Sequence, residues 1–246
     1  MTGADLLLKT LTNLGVDTIF GFPGGSALPI YDALYSYKKI RHIRTVHEQG
    51  AAHAADGYAR ATGKVGVVLS TSGPGATNLV TGIANAYMDS IPLVAFTGQV
   101  SLDLLGKDSF QEVDITGVTL PITKHNFLIR DKRDIVKKVK EAFHIATTGR
   151  PGPVLVDLPK NVMSEQINED EIRQDINGFI DTLSLKQNLE KSFRNSVEKA
   201  AEMIINAKRP VIYAGGGIIS SDACDELLQL AEKINVPVTT TLMGIT

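Results

Sequence analysis

The sequence predicts an α/β fold: a doubly wound parallel sheet, followed by the start of a second, Rossmann-like α/β domain. Three observations predict it. Short apolar runs alternate with helical segments along the chain, joined by Gly-rich turns, the pattern of parallel strands with right-handed crossovers. The run Val65-Gly66-Val67-Val68-Leu69-Ser70-Thr71 is rich in β-branched residues and lacks polar alternation, as a strand covered on both faces does. A composition of 43% hydrophobic and 21% charged residues over 246 positions suits a globular chain holding one large domain, or one domain and part of another.

The elements follow in order. Thr2 with Asp5 three residues on makes a capping box, and Leu6, Leu7, Leu11 and Leu14 repeat at helical spacing. Gly15 is placed to end that helix in a left-handed conformation. Residues 16–20 read as a buried strand broken by Gly21-Phe22-Pro23-Gly24-Gly25, and residues 27–37 as a helix with Ile30, Leu34 and Tyr37 on one face. Residues 40–46 form the next strand, and a small-residue helix opens at Glu48. After the strand at 65–71, Ser72-Gly73-Pro74-Gly75-Ala76-Thr77-Asn78 turns into a helix reaching Met88, and residues 91–97 return as a strand. The stretch 98–118 is polar and irregular, as functional or mobile loops are. A short strand at 127–129, an amphipathic helix at 131–147 and a last buried strand at 154–158 close the first domain. Residues 160–188 are polar and poorly periodic, which reads as an interdomain connection. A helix at 189–207, a strand at 211–214, the turn Gly215-Gly216-Gly217, a helix at 221–234 and a strand from Val236 begin the second domain. The pattern stops partway through a βαβ unit, so the chain is expected to be part of a longer protein.

Bulk properties exclude several classes. A formal net charge of −2 gives no reason to expect nucleic acid or an anionic membrane as partner. No run of about 18 apolar residues is present, so no helix is expected to span a membrane. The N-terminus lacks the basic and apolar regions of a signal peptide, and a cytoplasmic location is expected. The single cysteine, Cys224, excludes an intramolecular disulfide framework and is expected to be a buried structural thiol. The five histidines are scattered without carboxylates at ligand spacing, so no metal site is expected.

Two kinds of feature carry chemistry. Glu48 stands where a strand's carboxyl end meets a helix's first turn, the edge at which open α/β sheets bind ligands, although the helix dipole alone would favour a carboxylate there. Three glycine turns follow strands: Gly24-Gly25, Gly73-Pro74-Gly75 and Gly215-Gly216-Gly217. Any of them could bring backbone amides to a phosphate at a helix start, and Ser72 to Ala76 ranks first as such a cradle. None is a true G-x-G-x-x-G or P-loop. Phe110, in a polar loop, is either a packing residue or a substrate contact. Arg150 either caps the carboxyl end of the preceding helix or serves a ligand.

Six motifs occur together and in order: Phe20-Gly21-Phe22-Pro23-Gly24-Gly25, His47-Glu48-Gln49-Gly50-Ala51-Ala52, Gly57-Tyr58-Ala59-Arg60-Ala61-Thr62-Gly63, Thr71-Ser72-Gly73-Pro74-Gly75-Ala76-Thr77-Asn78, Phe110-Gln111-Glu112, and Gly149-Arg150-Pro151-Gly152-Pro153-Val154. With them the chain resembles, over its whole length, the thiamine diphosphate-dependent acetohydroxyacid synthases. The resemblance implies a thiamine diphosphate pyrimidine-binding domain over 1–160, a linker over 161–188, and the start of a FAD-binding-like central domain over 189–246. It implies that the domain holding the diphosphate and its Mg²⁺ is absent, which would leave this part inactive alone. The reaction implied is the condensation of two pyruvates, or of pyruvate with 2-oxobutyrate, with release of CO₂, in branched-chain amino-acid biosynthesis.

Residue by residue, the resemblance implies that Glu48 is catalytic and binds the cofactor's aminopyrimidine at N1′, favouring the imino tautomer whose 4′ nitrogen deprotonates the thiazolium. It places Gly25, Ser26, Phe110, Gln111 and Lys160 at the substrate. Arg150, Gly215, Gly216, Gly217, Thr241 and Leu242 match residues that hold a structural FAD. It assigns Ser72 to Asn78 to the ring side of the cofactor and not to its diphosphate, against the cradle reading. A homodimer with a shared active site is implied, and a small regulatory subunit is a further partner. Lys107, Ser26-Ala27 and Gly244-Ile245-Thr246 depart from the family's usual residues. The competing readings are a flavin-independent catabolic member or another 2-oxo-acid decarboxylase, and a non-catalytic assembly module of pyrimidine-domain type.

Overall fold

Thr2 Oγ1 accepts from the Asp5 amide at 3.1 Å, and the Asp5 carboxylate accepts from the Thr2 amide at 2.8 Å. The predicted capping box therefore opens the first helix, α1 (Gly3–Asn13), by satisfying amides that a helix start leaves unpaired. Gly15, at φ +83°, ends it as the sequence predicts. The computed structural model describes residues 1–168 and 182–245, the side chains of 182–192 excepted. The chain divides into two units, Met1–Gly178 and Phe179–Thr246.

In the first unit the elements alternate as the apolar runs dictate: β1 (Thr18–Gly21), α2 (Leu28–Ser36), β2 (Arg41–Arg44), α3 (Glu48–Thr62), β3 (Gly66–Ser70), α4 (Pro74–Thr77), α5 (Val80–Asp89), β4 (Leu93–Gln99), α6 (Ile115–Thr119), β5 (His125–Leu128), α7 (Ile135–Thr147), β6 (Pro153–Pro159) and α8 (Lys160–Ser164). The six strands form one sheet in the order β2-β1-β3-β4-β6-β5, and every pair is parallel. From β1 the chain moves outward to β2 and then returns to the other side of β1 with β3. That reversal is a topological switch point, and ligands bind outside the strands' carboxyl ends there.

The period-2 geometry of strands sorts the core onto two faces. Val67 and Leu69 of β3, Val94 and Phe96 of β4, and Val154 and Val156 of β6 pack with α1, α2 and α7. Val68, Leu93, Ala95 and Leu155 face the other way, toward α3 and α5. The small residues of α3 let it lie close to its neighbours: a Cβ on Gly66 would sit 2.3 Å from the Ala55 carbonyl, and one on Gly82 of α5 would sit 2.4 Å from the Ala52 methyl.

Three expectations change. The strand predicted over 40–46 is only Arg41–Arg44, because the partner strand offers a ladder of that length. Val46 lies beyond it and is 90% exposed. The helix after Ser72 is interrupted, with Asn78 and Leu79 separating α4 from α5. Packing also continues past Lys160: Val162, Met163 and Ile167 are buried in the first unit's core, and Gln166 pairs with Thr2. Residues 169–181 of the expected linker lie outside the described residues.

The second unit contains the helices Thr182–Asn206, Gly216–Ser220 and Cys224–Ile234, and a parallel pair of strands, β7 (Ile212–Ala214) and β8 (Val238–Thr240). Cys224 is exposed, contrary to the expected buried thiol: it opens its helix just after the turn at Asp222, whose φ is +55°. No described helix is long and apolar enough to cross a membrane.

Candidate active site

Glu48 is the first residue of α3, behind an N-cap in which His47 Nδ1 accepts from the Gln49 amide at 3.1 Å. Its side chain is 8% exposed, and its Oε2 accepts from Asn78 Nδ2 at 3.0 Å. The other oxygen faces Gly75, where a Cβ would lie 3.1 Å from Oε1 and 2.7 Å from the Thr71 methyl. Glycine at 75 thus lets the Thr71 methyl and the Glu48 carboxyl, held by Asn78, both approach its backbone. The helix start favours negative charge at this point.

The turn after β1 meets the turn after β3 at the switch point. The Ser26 amide donates to Thr71 Oγ1 at 3.1 Å, the hydroxyls of Ser26 and Ser72 lie 2.8 Å apart, and a Cβ on Gly24 would sit 2.5 Å from Thr71. Gly25 faces open space. A third segment closes on Gly73, whose φ is +54° and where a Cβ would lie 2.5 Å from the Gln111 carbonyl oxygen. Gln111 itself holds φ at +58° and Asp108 at +51°, a region costing a non-glycine residue about 1 kcal/mol or more. Glu112 stabilises that loop by accepting from the Ser109 amide at 2.9 Å and from the Gly106 amide. Those backbone donors hold its carboxyl below the usual glutamate range.

Of the residues singled out in the sequence, Glu48, Ser26 and Gln111 are therefore linked through one contiguous set of turns, with Gly25 beside Ser26. Phe110 stands next to them at 88% exposure. Lys160 follows the carboxyl end of β6 and is exposed, bordering a groove with Leu28 and Asp32 of α2. Arg150 lies at the opposite, amino edge of the sheet. It does cap a helix, though not the preceding one: its Nε donates to Ser90 Oγ at 2.6 Å and its Nη2 to the Met88 carbonyl at 3.0 Å, at the carboxyl end of α5. In the second unit, Gly215 opens the helix Gly216–Ser220. Thr241, followed by Leu242, donates its amide to the Ala214 carbonyl at 2.9 Å, which brings both candidate flavin segments to the carboxyl ends of β7 and β8.

The cradle reading of Ser72 to Ala76 is corrected. Glu48's carboxyl group lies against Gly75, with Oε1 3.1 Å from where a Cβ would stand, and so occupies the side of the turn that a phosphate would need. Sequence reasoning missed Tyr31 and His42, and the bond from Asn78 to Glu48. Tyr31 and His42 pack edge to face with ring centroids 5.0 Å apart, and Tyr31 Oη and His42 Nε2 are buried without a hydrogen-bond partner. Burial, and secondarily the charge of Glu48, pushes the Tyr31 hydroxyl up, while burial pulls the His42 imidazole down. Asp157 was missed too, although a carboxylate inside the apolar run 154–158 was itself the signal, because such a group requires buried partners. Among the described residues no group of three or more His, Cys, Asp or Glu side chains could hold a metal ion.

Comparison with known proteins places the chain in a family. The family profile described as "Thiamine pyrophosphate enzyme, N-terminal TPP binding domain" matches residues 1–118, and that described as "Thiamine pyrophosphate enzyme, central domain" matches residues 197–246. The chain is 53% identical over 245 residues to a Mycobacterium bovis protein named acetolactate synthase, covering 99% of this chain and 38% of that protein. It is 51% identical over 250 residues to the acetolactate synthase large subunit of Corynebacterium glutamicum, with 100% and 38% covered. The large subunit of Buchnera aphidicola subsp. Schizaphis graminum is 51% identical over 245 residues, with 100% and 42% covered. The chain therefore spans about two fifths of the length of these relatives. With both domain profiles matched in order and about half of its residues shared with these proteins along its whole length, the chain belongs to the thiamine pyrophosphate enzymes, as a homologue of acetolactate synthase large subunits.

Proposed function

We propose that this chain supplies the aminopyrimidine side of an acetolactate synthase active site, which condenses two pyruvates, or pyruvate with 2-oxobutyrate, and releases CO₂ in branched-chain amino-acid biosynthesis. The observation that carries the reading is Glu48: a buried carboxyl at the sheet's carboxyl edge, fixed at Oε2 by Asn78, with Oε1 beside Gly75 and given no hydrogen bond by the described residues. Bound thiamine diphosphate supplies the electron sink that decarboxylation of a 2-oxo acid requires. These residues fit such a ring, because a carboxyl group with one oxygen fixed by Asn78 and the other given no hydrogen bond by the described residues can hold a proton at Oε1 toward a ring nitrogen. Asn78 restricts the carboxyl to that orientation. Gly25, Ser26, Phe110, Gln111 and Lys160 form the substrate side.

The division into a pyrimidine-binding domain, a linker and a central domain from 189 belongs to the same reading, with the expected boundary at 160 moved past Ile167 by the packing of Val162, Met163 and Ile167. So does a homodimer in which Glu48 serves cofactor held by the partner, with Mg²⁺ and the diphosphate bound by residues outside this chain. Arg150, Gly215 to Gly217, Thr241 and Leu242 would hold FAD. Replacing Glu48 by Gln or Ala in the full-length protein is expected to lower carboligation at least 100-fold, the scale of a lost general acid–base group, with an unchanged melting temperature. Near-normal pyruvate turnover by the variant would sink the assignment. Flavin absorbance in the purified protein tests the FAD residues, and a colourless active enzyme would favour the flavin-independent member.

A further inference from the structure

The loop carrying Phe110 and Gln111 is anchored at both ends by one buried side chain. Gln99, the last residue of β4, is 3% exposed. Its Oε1 accepts from the Val100 amide at 2.9 Å, where the loop begins, and its Nε2 donates to the Val113 carbonyl at 2.9 Å, where the loop ends. The same Nε2 donates to Asp157 Oδ2 at 2.9 Å. Asp157 is 2% exposed, and its Oδ1 accepts from Thr97 Oγ1 at 2.6 Å. Thr97 stands opposite Asp157 in the β4–β6 register, and Gln99, two residues on, shares Thr97's face of the sheet. A fifth bond, from the Leu102 amide to Asn161 Oδ1 at 3.0 Å, ties the loop's start to α8.

This network has a direction. Turned end for end, the Gln99 amide would set its oxygen against the Val113 carbonyl and Asp157, and its NH₂ against the Val100 N–H. The Val113 carbonyl, which can only accept, and the Val100 N–H, which can only donate, select the orientation in which both loop ends are bonded and Nε2 also reaches Asp157. A carboxylate buried this deeply is costly unless it is hydrogen-bonded, and the chemistry assigned to Glu48 does not use it.

We infer that Asp157 and Gln99 are positioning residues. Through them the β4–β6 edge fixes the 100–113 loop and so holds Gln111 against Gly73 and Phe110 beside the Glu48 site. The functional part of this inference rests on the substrate role proposed for that loop.

Hydrogen exchange of the loop amides, read by mass spectrometry on wild-type protein and on Gln99→Leu, Asp157→Leu and Asp157→Asn, tests the anchor directly. The two leucine variants are expected to speed exchange across 100–113 about tenfold, the scale of one or two lost hydrogen bonds. Asp157→Asn should stay within about twofold, because its carbonyl still accepts from Gln99 and its NH₂ can donate to the Thr97 hydroxyl. In the full-length enzyme the leucine variants should raise KM for pyruvate more than they lower kcat, and Asp157→Asn should restore KM. Circular dichroism and melting temperature establish which variants fold, and if Asp157→Leu does not, Gln99→Leu decides alone. Wild-type exchange in folded Gln99→Leu, or equal losses in Asp157→Asn and Asp157→Leu, would overturn the anchor. Fast exchange with unchanged KM would overturn the positioning role, whereas a wild-type enzyme without carboligase activity would fail the proposed function and leave the exchange result standing.

Discussion

Three carboxylates are buried among the described residues of the first unit, and their partners separate their roles. Asp56 is paired with Arg60 at 2.7 Å, a structural ion pair. Asp157 accepts from two neutral side chains within the sheet. Glu48 receives one neutral amide at Oε2 and lies against Gly75 at Oε1, so of the three it is the one that fits the proton-exchanging role proposed above. Gly75 is therefore as informative as Glu48. Gly75→Ala would press a methyl against Thr71 and Glu48 Oε1, and it is expected to cost about 1–3 kcal/mol of stability by overpacking. It should also cut kcat/KM about tenfold or more, because a displacement of about 1 Å at a reacting group is expensive. Steady-state kinetics and thermal melting check both. Asp157 makes a pH prediction. Burial, with a smaller contribution from Asp114, pushes its carboxyl up to about 7 from an ordinary 3.8, against the lowering effect of Thr97 and Gln99. The folded state thus binds the proton more tightly than the unfolded chain, so this group's contribution to stability is full below about pH 4 and is lost as pH rises through about 7, by at most roughly 4 kcal/mol. Asp157→Asn should remove that slope. Denaturant melts at pH 5 and pH 8 that change equally in wild type and variant would contradict it.

At the scale of elements, Arg150 couples β6 to α5. Its guanidinium satisfies a carbonyl and a hydroxyl at the α5 carboxyl end, where a cation is favoured by the helix dipole. Arg150→Met is expected to lower stability by about 0.5–1 kcal/mol; if Arg150 also contacts flavin, FAD content should fall in the same variant, which absorbance at saturating FAD would read out. Such couplings explain what the sequence could and could not disclose. β3 and β6 were legible because parallel strands covered on both faces become apolar runs, and α1 because its cap is local, Thr2 to Asp5. Glu48 was legible as a position, at a strand–helix junction. Its orientation was not, because that depends on Asn78, thirty positions away. Nor was the end of β2, since Val46 is apolar but has no strand to pair with. The loop at 100–113 read as irregular because its order comes from Gln99 and Asp157, which meet only after β4 and β6 are in register.

For the molecule as a whole, the two units differ sharply in how much they bury. The first has buried residues on both faces of its sheet, whereas in the second Ala214 is the one buried hydrophobic side chain among the described residues. Tyr213, Leu228, Leu242, Met243 and Ile245 of that unit are all exposed, Leu242 at 82%. Cysteine 224 adds nothing to that small core, since it too is exposed. Apolar side chains gathered on one small unit mark surface that is stable when something covers it, and a unit with little buried area gains too little to offset its ordering entropy. For the chain of 246 residues, hydrogen exchange is therefore expected to be heterogeneous. Amides of β3, β4 and β6 should be protected close to the global unfolding limit, and those of β7 and β8 should exchange orders of magnitude faster, through local opening. In the full-length protein, where further chain can cover that apolar surface, protection at β7 and β8 should rise while that at β3, β4 and β6 stays nearly constant. Equal, slow exchange in β4 and β7 of the 246-residue chain would show that the second unit is stable by itself, and its exposed leucines would then need another explanation.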